Sequence, residues 1–452
     1  MAAIRFNEAL RLAAQAANDK ALPAEWPVRL IRDVYGRLRF ALDCDSVQYP
    51  AAARERLQAA QSALGAYATS DKVLFRDSFS DPDTVFSSSD WHRTSVPLTV
   101  DEDGNLPGDV AVLLLDRQIT GQDWLRPSVA AGTHPHRLVF FGMKGGVGRS
   151  TALTMVAWGL ARQGRRVLVV DFDLESPGLS GLMLPPDQVA EFGLVDWLVE
   201  DAVGQGDGVL ARMVSASPLG QTTVGAVRVA AAMGRQEQDY LAKLARAYAD
   251  VPGVDGPQRM GARMRRVLEL LEAQEQPDVV LIDSRAGLHD LAAVSITILA
   301  DTALLFATDS AQTWMGYRQL FAHWQRRPDV VTHVRDRLAI VRALTPKTDR
   351  EGGVRRFQRE AYELFAETLY DEIPPVAEDG AAAGADEADY FNPSEVDEAA
   401  PHFPILVDWD ERFQEFDPRL RPEQGGVTEA QIDATFGGLI RWVAKRVSEG
   451  RP

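Results

Sequence analysis

Cysteine is almost missing from these 452 residues: Cys44 stands alone. One thiol rules out an intrachain disulfide and any cysteine-built metal site. Long apolar runs are missing too, so no stretch reaches membrane-spanning length. Arg5, Glu8 and Arg11 break up the start of the chain, which therefore does not read as a secretory leader. A soluble cytoplasmic protein is the expectation. Positive charge is scarce, with 48 Lys and Arg against 65 Asp and Glu and a net charge of -17. That balance argues against a dedicated nucleic-acid binder, which needs a basic surface. Arg259, Arg263, Arg265 and Arg266 leave two readings open: a local basic face for DNA, or a solvated helix face. From Asp371 to Glu411 there is no Lys or Arg at all, and Gly380–Ala388 is low in complexity. This segment reads as a solvated loop or as an acidic interaction arm. His134 and His136 lie two apart without further ligands, which does not make a metal site.

What the chain does have is one informative stretch, Phe140 to Ser180. Leu138–Phe141 is an apolar run that reads as a buried strand. Gly142-Met143-Lys144-Gly145-Gly146-Val147-Gly148-Arg149-Ser150-Thr151 follows, and Thr151–Arg162 then carries apolar residues at helical spacing. Strand, glycine loop and helix form the context of a phosphate-binding loop. Glycines let backbone N–H groups turn toward a phosphate, and the helix presents its positive end to the same anion. Ser150 places a hydroxyl where a magnesium ligand sits in such loops.

The loop departs from the ordinary G-x-x-x-x-G-K-[ST] pattern. Lys144 stands near its start, and Arg149 occupies the place of the usual lysine. Asp171-Phe172-Asp173 closes the next apolar strand. Val279–Gly287 is another apolar strand ending in Asp283, followed by Ser284-Arg285-Ala286-Gly287. These three motifs, in this order, resemble the deviant phosphate loop and two switches of the ParA/MinD family of NTPases. The resemblance covers roughly Arg137 to Leu344. It implies an α/β fold, a mostly parallel sheet flanked by helices as in P-loop NTPases.

The resemblance also implies roles. Lys144, Gly145, Gly146, Val147, Gly148, Arg149, Ser150 and Thr151 would bind ATP. Lys144 would be the signature lysine that reaches a partner's phosphates in a nucleotide-sandwich homodimer. Asp173 would position or activate the attacking water. Ser150, Asp171 and Asp283 would serve the magnesium ion, Asp283 through water. For Asp171, turn formation at a strand end is an equal reading. Arginine at 149 keeps the charge but is bulkier and forked. Hydrolysis therefore stands beside a nucleotide-sensing scaffold with little turnover. GTPase and tyrosine-kinase-like relatives are further alternatives. Pro346-Lys347-Thr348-Asp349 lacks the asparagine of a guanine motif, and the tail offers only isolated Tyr370 and Tyr390. Thr308-Asp309-Ser310 is a candidate lining for the base pocket.

The flanks carry no catalytic signature. Residues 1–130 read as a helical and mixed α+β accessory domain, with amphipathic helices expected at Asn7–Ala17, Pro27–Leu42 and Ala51–Tyr67. Residues 137–345 read as the NTPase domain. Residues 346–452 read as a C-terminal extension with an acidic flexible segment at 371–400 and a terminal amphipathic helix, Thr428–Val447. On that helix Ile432, Phe436, Leu439, Ile440, Val443 and Val447 share a face, while Arg441, Lys445 and Arg446 leave a membrane contact open beside core docking. The protein partner is not legible.

Overall fold

In the computed structural model of the protein the described residues are 4–97 without 71 and 89, 108–126 without 119, 134–235, 238–253, 257–373, 390–414 without further gaps, 416–417, 420, 423 and 426–449. The low-complexity stretch Gly380–Ala388 lies outside them. The chain forms two compact units, Met1–Gln122 and Asp123–Pro452.

The first unit is built on a four-stranded sheet. β1 (Arg29–Arg32) pairs antiparallel with β2 (Leu38–Ala41), and β3 (Trp91–Val96) pairs antiparallel with β4 (Val110–Asp116); β1 and β4 run parallel. Helix Phe6–Ala17 buries Ala9, Ala13 and Ala14, small residues that let it approach this sheet closely. The expected helix at Pro27–Leu42 is a β-hairpin instead. Val28, Leu30 and Arg32 are buried in alternation, as are Leu38 and Phe40, which is the period of a strand. The turn is set locally: Asp33 Oδ1 accepts from Tyr35 N at 2.9 Å and Arg37 N at 2.9 Å, and Gly36 takes φ +83°. Across the sheet Arg32 Nε donates to Asp116 Oδ1 at 2.8 Å. Burial pushes the Asp116 carboxyl up, and the hydrogen bonds and charge of Arg32 outweigh it, holding the group below its ordinary value.

The second unit holds an eight-stranded sheet. Its strands are β5 (His136–Gly142), β6 (Arg166–Phe172), β7 (Val214–Ala216), β8 (Ala226–Ala230), β9 (Val279–Ser284), β10 (Thr302–Ala307), β11 (Leu338–Thr345) and β12 (Ile405–Asp408). The order is β12-β11-β10-β5-β9-β6-β8-β7, parallel throughout except for the edge strand β7. Helices cover both faces, so the strands are apolar on both sides. Leu138 and Phe140 of β5 join one core, and Val139 and Phe141 join the other. The mostly parallel sheet flanked by helices is the architecture expected from the sequence. β5 sits centrally, with β9 on one side and β10 on the other, and β6 lies beyond β9. This order brings the carboxyl ends of β5, β6 and β9 together, where ligands bind in such sheets.

Helix Arg149–Arg162 packs under the terminal helix Glu429–Glu449, which buries Ile432, Phe436, Leu439, Ile440 and Val443. Gly159 makes the approach possible: a Cβ there would lie 2.6 Å from Ile440 Cγ2. Gly159→Ala is expected to lower stability by about 1–3 kcal/mol through overpacking. Adding Ile440→Ala should recover part of that loss in a denaturant titration, because the shortened side chain makes room.

The helix Met260–Glu275 corrects the reading of its arginines. Arg263 is fully buried, not solvated; its Nε donates to Asp201 Oδ2 at 3.0 Å, and its Nη1 to the carbonyls of Ala247 and Ala249. Arg266 Nη1 donates to Asp201 Oδ1 at 2.9 Å. One acid thus engages two of the four cations offered for a basic face. No helix among the described residues is long and apolar enough to cross a membrane.

Candidate functional site at the glycine-rich loop

The loop leaves β5 at Gly142 and enters helix Arg149–Arg162 through Gly148. Gly146 (φ +77°) and Gly148 (φ +75°) hold left-handed conformations that other residues adopt at a cost. A Cβ on Gly145 or Gly146 would meet nothing within 4 Å, so the loop faces open space. Among the described residues, the amides of Gly145, Gly146, Gly148, Arg149, Ser150 and Thr151 donate to no protein acceptor. A run of unpaired N–H groups around a helix N-terminus is an anion-binding concavity. Lys144 is exposed on this loop and makes no ion pair among the described residues.

The three motif acids meet the loop in different ways. Asp283, at the end of β9, is 2% exposed. It accepts from Ser150 Oγ at 2.6 Å through Oδ2 and from Arg149 Nε at 2.6 Å through Oδ1. Asp173 Oδ2 accepts from Arg149 Nη2 at 3.2 Å, while its Oδ1 is buried without a partner. Asp171 turns toward its own chain instead. Its Oδ1 accepts from Asp173 N at 3.1 Å, and its Oδ2 from Gly178 N at 3.3 Å and Leu179 N at 3.2 Å. Both its oxygens brace the segment that carries Asp173, as a turn-forming acid at a strand end does.

Arg149 is the side chain whose direction the sequence did not convey. It is 8% exposed and points to the two acids across the sheet edge, with Nη1 unpartnered. Burial works against its charge, and Asp283 and Asp173 more than offset that, raising its pKa. The acids respond to their surroundings as well. Burial, then the charge of Asp283, pushes the Asp171 carboxyl well up. Burial pushes Asp173 up, with Arg149 pulling the other way. A buried carboxyl with a raised pKa and one free oxygen is suited to orient water or take up a proton.

The turn after Asp283 is tied to the loop through its backbone: Gly287 N donates to Gly142 O at 3.0 Å. A further cluster, missed in the sequence, joins the segments that follow Asp173 and Asp283. Glu175 lies against Arg285 and within 3.3 Å of His289 Nε2, and the Tyr248 hydroxyl donates to Glu175 Oε1. Tyr240 Oη donates to Leu174 O at 2.6 Å. These partners lie 66 to 114 positions apart in the chain, beyond the reach of local pattern. Thr308, Asp309 and Ser310 are engaged locally: Ser310 Oγ caps helix Ala311–Trp324 by accepting from Thr313 N, and Asp309 Oδ1 accepts from Trp314 Nε1 at 3.3 Å.

The donor set fits a nucleotide and a magnesium ion. The unpaired amides and the unpartnered Arg149 Nη1 suit phosphate oxygens. Ser150 Oγ and Asp283 form a hard oxygen pair of the kind magnesium accepts when phosphates and water complete its shell. No group of three or more His, Cys, Asp or Glu side chains poised for a metal occurs among the described residues, and such a site does not require one.

Residues 136–338, just under half of the chain, match a family described as an AAA domain. No curated protein matches the chain. Among solved structures, a ParA family ATPase from Chlorobium tepidum TLS is 14% identical, over 69% of this chain and 94% of that one, with a TM-score of 0.38. A pNOB8 ParA bound to nonspecific DNA is 14% identical, over 70% and 100%, with a TM-score of 0.41. A cobyrinic acid a,c-diamide synthase from Mycobacterium smegmatis, with a bound ATP analogue and magnesium, is 20% identical, over 54% and 86%, with a TM-score of 0.36. The family match falls on the segment that carries the glycine loop, Asp171, Asp173 and Asp283, and with the loop geometry it supports a P-loop NTPase domain there.

Proposed function

We propose that the protein is an ATP-binding, magnesium-dependent switch that hydrolyses ATP and closes as a homodimer in its triphosphate state. The observation that carries this reading is the convergence of Ser150, Arg149 and Asp283 beneath a loop of unpaired amides. In this reading the amides of Gly145, Gly146, Val147 and Gly148 hold the β- and γ-phosphates, and Thr151 contacts the α-phosphate. Ser150 and Asp283 hold magnesium, Asp283 through water, with Asp171 ordering the adjoining loop and its water shell. When bound, the metal supplies charge neutralisation on the phosphate oxygens. Arg149 releases part of its grip on the acids to meet the phosphates. Asp173 then orients the attacking water through its free oxygen. Lys144 is free on the surface to reach a second copy's phosphates. The output is a partner-bound state, and the partner is a protein.

Arg149 favours a second reading, a nucleotide sensor with little turnover. Its guanidinium already satisfies the acids that hydrolysis needs, so exchange to the phosphates costs two charge-assisted hydrogen bonds. Phosphate release and light-scattering mass of the full chain with ATP and magnesium separate the two. The switch reading expects ATP-dependent dimers, with turnover and dimer both lost in Lys144→Ala. Monomers at saturating ATP would rule out the sandwich.

A further inference from the structure

Among the described residues, Arg285 is the one cation at the site that neither the loop nor the metal acids account for. It follows Asp283 by two residues and precedes Gly287 by two. Asp283 is held by Ser150 and Arg149, and Gly287 N is bonded to Gly142 O. The backbone of Arg285 is therefore pinned on both sides beside the phosphate loop. Its side chain, 30% exposed, lies against Glu175 of the first switch. Glu175 Oε2 makes this contact as an ion pair and accepts no hydrogen bond. Meanwhile Tyr248 donates to Oε1 and His289 Nε2 lies 3.3 Å from it. Burial, then the hydrogen bond to Glu175, pushes the Tyr248 phenol up, so it stays a donor. Glu175 thus keeps two partners if Arg285 leaves. The charge of Arg285 is also felt at Asp173, where it pulls against burial.

We propose that Arg285 is a γ-phosphate-binding cation, parked on Glu175 without nucleotide and transferred to the triphosphate when it binds. This rests on the nucleotide reading above and deepens it. Glu175 stores the arginine, Tyr248 and His289 keep Glu175 in place, and the Gly287 tether limits the arginine's travel. In hydrolysis a water oxygen bonds to the γ-phosphorus. The bond to the β,γ-bridging oxygen breaks with its electron pair leaving on ADP, and the water proton passes to Asp173 or the released phosphate. Arg285 neutralises the charge that builds on the γ-phosphoryl oxygens in that step.

The test is equilibrium binding of ADP and of the non-hydrolysable triphosphate AMPPNP to the full chain with magnesium. Wild type, Arg285→Ala, Arg285→Lys and Glu175→Gln are compared. Arg285→Ala should weaken AMPPNP about tenfold or more, the scale of a charge-assisted hydrogen bond, with ADP affinity within about twofold. Arg285→Lys should recover part of the preference. Glu175→Gln frees the arginine and should strengthen AMPPNP relative to ADP, opposite to Arg285→Ala. A purely structural brace between the switches predicts that both variants weaken both nucleotides alike, and that result overturns the proposal. So does Arg285→Ala with an unchanged preference, and in that case nucleotide binding itself stands. If the wild type binds neither nucleotide, the nucleotide reading falls first and takes the proposal with it.

Discussion

Arg149→Ala should be less stable than the wild type by about 3–5 kcal/mol at neutral pH, the cost of removing one partner from a buried ion pair. The wild-type guanidinium faces Asp283 and Asp173 and is 8% exposed. Without it those two carboxylates confront each other, with Asp171 close enough for Asp283 to raise its pKa. The loss should depend on pH with a definite sign. Asp171 and Asp173 already have native pKa values above the ordinary carboxylate value. Such acids carry no penalty where both states are protonated, and they destabilise the fold as pH rises through the ordinary carboxylate range toward the native value. Removing Arg149 takes away the charge that pulls Asp173 down, so the native value of Asp173 rises further. The stability gap between wild type and variant should therefore be small in acid and widen toward pH 7.5. Magnesium should raise the melting temperature of the variant more than that of the wild type, since the cation site is then vacated for it. Equal melting temperatures at pH 7.5 would mean that the ion pairs hold nothing.

Asp173→Ala should lower ATP turnover by about a hundredfold or more while leaving ATP affinity within a few-fold. Asp173 contributes one oxygen to Arg149 and keeps Oδ1 buried and free. The free oxygen is what an attacking water would use. The phosphate amides and the Ser150–Asp283 pair are untouched by the substitution, so binding survives. In the proposed cycle, where hydrolysis releases the dimer, the triphosphate dimer should last longer in this variant. Turnover and affinity falling together would instead place Asp173 in binding, and turnover unchanged would remove it from the reaction. In either case Arg149→Ala remains an independent probe, since it reads stability without nucleotide.

The legible part of this protein is the part written in contiguous residues. The glycine loop was readable because a buried strand precedes it and an apolar helix follows, all between Leu138 and Arg162. The strands ending in Asp171 and Asp283 were readable because parallel strands covered on both faces are continuous apolar runs. The hairpin at Arg29–Ala41 was not, because its alternation is short and carries Arg32 at a buried position, where a local pattern counts it as polar. The direction of Arg149 was not legible either: its partners are 24 and 134 residues away. Its place among the loop glycines implies a cation turned toward a bound phosphate, yet the two acids across the sheet edge hold it. The same holds for Arg263, whose burial depends on Asp201, 62 residues earlier. Charges in this fold are placed by tertiary partners, whereas the phosphate loop is placed by its own sequence.

The central claim is that the glycine loop and Asp283 form an ATP–magnesium site. Titration of a fluorescent ATP analogue into the purified full chain tests it most directly, first with magnesium and then with the metal chelated. The account predicts saturable binding of one nucleotide per chain, weakened about tenfold or more by chelation. No saturable binding at millimolar nucleotide, with the protein folded by circular dichroism, would contradict it.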